Sequence, residues 1–67
     1  MDPESRVVAN LRRLREERGL SQEALAHRAG VTVRHIGRIE RREGSPTVSV
    51  LVKIAMALDV DIAVLFE

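Results

Sequence analysis

Apolar side chains recur along this chain with a helical period, in blocks broken by glycine, proline and small polar residues. Val7, Leu11 and Leu14 follow one another at spacings of four and three, which places them on one face of a first helix. Asp2 suits its N-cap, Pro3 its first position and Glu4 its dipole; Gly19 ends it. Arg6, Arg13, Glu16 and Glu17 point away from that face, whereas Arg15 and Arg18 fall within or beside it. Ser21 caps a second helix of about Gln22 to Arg28, and Thr32 a third of about Val33 to Arg41. Between them Gly30 supplies the left-handed residue that a helix end favours. After the polar loop 42–46, Thr47 caps a fourth helix running to about Leu58. Its core stripe is Leu51, Ile54, Ala55 and Leu58, with Val48 beside them. Asp59 closes that helix, and Asp61 caps a last short one, Ile62 to Phe66. The expected fold is all-α: a compact five-helix domain over residues 1–67.

Within Ser21 to Glu40 two short helices flank a tight turn, and Ala26 leaves room for them to cross closely. This is the pattern of a helix-turn-helix, which predicts binding to double-stranded DNA. At about 100° per residue, Thr32, Ile36, Ile39 and Glu40 fall on the inner side of its second helix. Arg34, Gly37, Arg38 and Arg41 fall on the outer side. Arg34 and Arg38 are one turn apart, and a guanidinium can bond guanine O6 and N7 together. Thr32 and Val33 are short and suited to a thymine methyl. Gln22, Arg41, Arg42 and Thr47 are candidates for phosphate contacts, and His35 flanks the basic stripe where it could add another. Gly37 either allows close approach to the groove or is a tolerated surface glycine.

At these residues the chain resembles the Cro and phage-repressor family of helix-turn-helix proteins, the Xre type. Gln22, Ala26, Gly30, Ile36 and Ile39 stand at its signature positions, followed by the family's Arg-Ile-Glu-Arg run as Arg38-Ile39-Glu40-Arg41. The resemblance spans roughly Val7 to Phe66. It implies a repressor-like DNA-binding domain in which the positions of Thr32, Val33, Arg34 and Arg38 meet bases. Many members carry arginine or glutamine where Val33 stands, so no relative's target sequence transfers. The run Ile-Gly-Arg-Ile-Glu-Arg and the short length look most like restriction–modification controller proteins, with phage repressors and antitoxins close by.

Arg15 and Glu40 carry opposite charges on the inward sides of two helices, which suggests one partly buried ion pair tying the first helix to the reading helix. The resemblance implies the same pair. A carboxylate so held is a poor general base.

Net charge is only +1, yet its distribution is lopsided. From Arg6 to Arg42 ten arginines face four glutamates, while the remainder is acidic. That polarity would orient the domain on a phosphate backbone. With no cysteine there is neither a disulfide nor a thiolate zinc site, which fits a cytoplasmic protein. His27 and His35 sit on separate helices with nothing to complete a metal site, and no cofactor is expected. No run is long and apolar enough for a membrane span and no leader opens the chain, so no membrane partner is expected. A single phenylalanine is too little for stacking single-stranded bases. The chain has no cysteine nucleophile, Ser–His–acid arrangement or phosphate-cradling glycine loop, and is not expected to be an enzyme.

The C-terminal third is more apolar than one small core requires. Val52, Met56, Ile62, Val64 and Phe66 exceed what five short helices can hide. Either Leu65 and Phe66 cap the core and the rest are scattered surface residues, or residues 48–67 hold a self-complementary patch that forms a two-fold dimer. In a homodimer two reading helices about 34 Å apart would meet successive major-groove faces of a near-palindromic operator. The resulting expectation is a small dimeric transcription regulator of controller or repressor type, with no small-molecule effector. The alternative is an antitoxin-like interaction module that uses the apolar C-terminal helices.

Overall fold

The computed structural model describes residues 2–67. Four α-helices, α1 (Pro3–Glu17), α2 (Gln22–Ala29), α3 (Val33–Glu40) and α4 (Val48–Ala57), precede a 3-10 helix, Ile62–Phe66. The architecture is all-helical, but the expected fifth α-helix is a 3-10 turn. Five residues leave few partners for α-type bonding, so the segment tightens to bonds between residues three apart. Val64 N–H donates to the Asp61 carbonyl at 2.9 Å, and Glu67 N–H to that of Val64 at 3.3 Å.

Each helix starts on the side chain its sequence supplies. Asp2, Ser21, Thr32 and Thr47 accept from the backbone N–H three residues on, and Asp61 from that of Ala63. The α-helices also stop alike. Backbone bonds from Leu20 to Arg15, Val31 to Ala26, Glu43 to Arg38 and Val60 to Ala55 each wrap around one left-handed residue. At the first two ends that residue is Gly19 or Gly30; at the last two it is Arg42 (φ 61) and Asp59 (φ 59). A side chain makes this conformation cost about 1–2 kcal/mol, least for aspartate.

The core is assembled from all five elements. Leu11, Leu25, Ile36, Ile54, Leu58 and Leu65 are fully buried at its centre. Ala26 on α2 is 3% exposed, and α2 packs on α3. α2 also packs on α4, while α1 lies against α3 and the 3-10 helix. Asn10 fastens the last contact, its amide Nδ2 donating to the carbonyls of Leu65 (2.8 Å) and Glu67 (3.0 Å).

Three expected placements are corrected. Thr32, expected on the inner side with Ile36 and Ile39, is exposed, because as the N-cap it precedes the first helical turn. Val48 is 70% exposed and is no part of the core: it is the first residue of α4, and the buried stripe begins a turn later at Leu51. With Val52 and Met56 it forms an exposed apolar row at four-residue spacing. Gly37 is buried, not on an open outer face, because neighbouring side chains close over its bare α-carbon.

Candidate nucleic-acid interface

α3 owes its two-sidedness to alternating apolar and basic positions. Ile36, Ile39 and Glu40 turn inward and are buried, whereas Val33, Arg34 and Arg38 are exposed on the other side. Neither the Arg34 nor the Arg38 guanidinium makes an ion pair among the described residues. Thr32 is exposed at the N-terminus of α3, its hydroxyl accepting from His35 N–H at 3.1 Å. Val33 beside it is 44% exposed. The four residues expected at base edges therefore lie together on one exposed surface.

The inner side holds a polar cluster centred on Glu40. Arg15 donates Nε to Oε2 at 2.7 Å and Nη2 to Oε1 at 3.0 Å, a two-pronged bond. Its Nη1 reaches the Leu20 carbonyl at 2.8 Å, binding the α1–α2 turn into the same unit. Hydrogen bonding to Glu40 raises the Arg15 pKa against the opposing effect of burial. Glu40 Oε1 also accepts from Gln22 Nε2 at 3.1 Å and lies 3.6 Å from Arg12 Nε. One carboxylate thus ties α1, α2 and α3 together and sets the angle at which α3 is presented. The contributions of Arg12 and Gln22 were not foreseen from the sequence; both depend on the angle at which the three helices cross.

The candidate phosphate contacts fall into different surroundings. Arg41 is bonded to Glu43, Nε–Oε2 at 2.9 Å, and Arg42 lies 3.6 Å from Asp2. The Arg41 hydrogen bond holds the Glu43 carboxyl below its ordinary range, with a smaller contribution from the charge on Arg38. Gln22 is half-buried with its amide engaged by Glu40. Thr47 is exposed and caps α4. His35 is half-buried, its Nε2 shielded from solvent and without a hydrogen-bond partner, in a cleft it shares with Arg38, Glu43 and Ser45.

The apolar candidates divide as well. Val52 (39% exposed), Met56 (74%) and Phe66 (45%) are open, while Ile62 and Val64 are half-buried against the core. Leu65 is completely covered. No group of three or more metal-binding side chains occurs among the described residues, and none of their helices is long and apolar enough to cross a membrane.

Known proteins share this arrangement. The helix-turn-helix family model HTH_3 matches residues 11–65. The HTH-type transcriptional regulator SutR of Escherichia coli is 50% identical over 54 residues, covering 81% of this chain and 30% of SutR. Control protein C.SmaI of Serratia marcescens is 37% identical over 62 residues, covering 92% of this chain and 74% of that protein. Among solved structures, the restriction-modification controller protein C.AhdI of Aeromonas hydrophila superposes with a TM-score of 0.87 at 36% identity, covering 91% of this chain and 92% of that one. By sequence and by fold, the chain belongs to the helix-turn-helix (Xre-type) family of DNA-binding transcription regulators.

Proposed function

We propose that the chain binds double-stranded DNA sequence-specifically as a homodimer, with α3 in the major groove of a near-palindromic operator. Arg34 and Arg38 read guanine edges, while Thr32 and Val33 meet thymine methyls. Gln22, His35, Arg41, Arg42 and Thr47 supply backbone contacts that set register without carrying sequence information. Val52, Met56 and Phe66, flanked by Ile62 and Val64, pair two copies. Regulation follows from the protein's own concentration, through dimerisation and cooperative binding, in the manner of a controller or repressor.

One observation carries this reading. Arg15, Arg41 and Arg42 each have an acidic neighbour, yet the two arginines facing outward on α3 have none within ion-pair distance among the described residues. Desolvating a guanidinium is costly unless it gains a partner, so an unpartnered pair on a rigid helix suits an external acceptor. Selection of bound duplexes from a random pool tests it. The expected result is two inverted half-sites containing guanine, about one helical turn apart. A pool that stays random after repeated selection would reject sequence reading.

A further inference from the structure

We infer that Arg12 is a DNA-phosphate contact, completing with Gln22 and Arg41 a clamp organised by Glu40 beneath it and by the missing side chain of Gly37. The inference rests on the reading of α3 as the groove-binding helix.

Arg12 and Gln22 converge on one atom. Glu40 Oε1 accepts from Gln22 Nε2 at 3.1 Å and lies 3.6 Å from Arg12 Nε. The charge of Glu40 is already matched by its two bonds to Arg15, whose side chain is only 11% exposed. Arg12 is therefore surplus positive charge. Its side chain is 55% exposed, and it makes no other ion pair among the described residues. Glu40 orients the Arg12 guanidinium from one side, so less side-chain freedom is lost when an anion arrives from the other.

Gly37 joins Arg41 to the same patch. A β-carbon there would lie 2.9 Å from Arg41 Nη1 and 3.6 Å from Gln22 Oε1. The Arg41 guanidinium thus folds back along α3 onto the glycine, next to the Gln22 amide. Gly37 is three residues from Arg34, so the patch continues the arginine stripe of α3. The Arg12 guanidinium, the second hydrogen of Gln22 Nε2 and the Arg41 Nη1 that Glu43 leaves free are donors that match the oxygens of a phosphodiester. Arg12 stands on α1, off the helix proposed to enter the groove, where a guanidinium meets the backbone rather than base edges.

Fluorescence anisotropy of the full chain with a selected duplex and a random duplex, across a salt series, tests this. Arg12→Ala should flatten the log–log salt slope by about 0.9, so that its affinity deficit grows about eightfold between 1 M and 0.1 M salt. Both duplexes should lose affinity by the same factor, and circular dichroism should show the fold retained. Arg12→Lys should keep the slope, as should Arg28→Ala, an exposed arginine outside the patch. Gly37→Ala, by pushing Arg41 from its seat, should flatten the slope as Arg12→Ala does. A wild-type slope in Arg12→Ala would overturn the clamp while leaving groove reading intact. If the wild type bound neither duplex, DNA binding itself would fail and the clamp with it.

Discussion

On its inner side α3 presents Glu40, 4% exposed, to a two-pronged bond from Arg15. On its outer side Arg34 and Arg38 are exposed and form no ion pair among the described residues. The guanidiniums of Arg15, Arg34 and Arg38 are chemically alike, and the difference lies in what faces them: Arg15 on α1 meets Glu40 of α3, whereas the two on α3 meet no carboxylate within ion-pair distance among the described residues. A buried, partnered guanidinium is held in one direction; an open one keeps its donors free for an outside acceptor. Three intervening helical turns are not needed to separate the roles, because a rotation of about 100° per residue does so within eight residues.

The largest effect should come from breaking the inner pair alone. Glu40→Ala leaves Arg15 buried without its acceptor and should cost about 3–5 kcal/mol in chemical denaturation. Replacing both partners, Arg15→Met with Glu40→Leu, should recover most of that stability. If the single and double variants were equally unstable, the pair would not be the tie between α1 and α3. The outer face should behave oppositely. Arg34→Ala or Arg38→Ala should remove about 1–3 kcal/mol of discrimination between matched and mismatched duplexes. Stability should stay within about 0.5 kcal/mol of the wild type.

A third experiment asks whether the apolar surface away from α3 sets how two such faces are spaced. Met56→Glu with Phe66→Ser removes two open apolar side chains without touching α3. Sedimentation equilibrium should show a monomer, and binding to a two-half-site duplex should fall to the level of a single half-site. A variant that remained dimeric would move the interface elsewhere. The smallest effect concerns the end of α3. Arg42→Gly relieves a left-handed residue that carries a side chain and should raise thermal stability by about 1 kcal/mol. Gly37→Ala should gain up to about 1 kcal/mol from helix propensity, since the atom it meets is the far end of a flexible side chain. Stability would then rise in a variant whose grip on DNA falls, separating the two properties within one helix.

Much of the scaffold was legible from short-range spacing. The caps at Asp2, Ser21, Thr32 and Thr47 were expected from residue type and position, and each hydroxyl or carboxylate accepts from the N–H three residues on. Gly19 and Gly30 mark helix ends for an equally local reason, since only their backbone conformation is at issue. The inward positions of Ile36 and Ile39 and the outward ones of Arg34 and Arg38 follow from helical periodicity. Less legible was the end at Arg42, where backbone bonding imposes a left-handed conformation that an arginine does not advertise; Asp59, expected to close α4, does so in that conformation. Val48 was misplaced because its spacing fits the core stripe of α4, although the first turn of that helix stands 70% exposed at this residue.

The sequence by itself determined where helices begin, how most of their residues face, and that two of the helices form a helix-turn-helix. These are consequences of hydrogen bonds and rotations within a few residues. Only the tertiary structure decided which atoms meet across helices: Asn10 on the carbonyls of Leu65 and Glu67, Arg12 and Gln22 on one oxygen of Glu40, and Arg41 on the bare α-carbon of Gly37. Such contacts depend on the crossing angles and separations of packed helices. Those are set by the whole core at once, not by any one stretch of the chain.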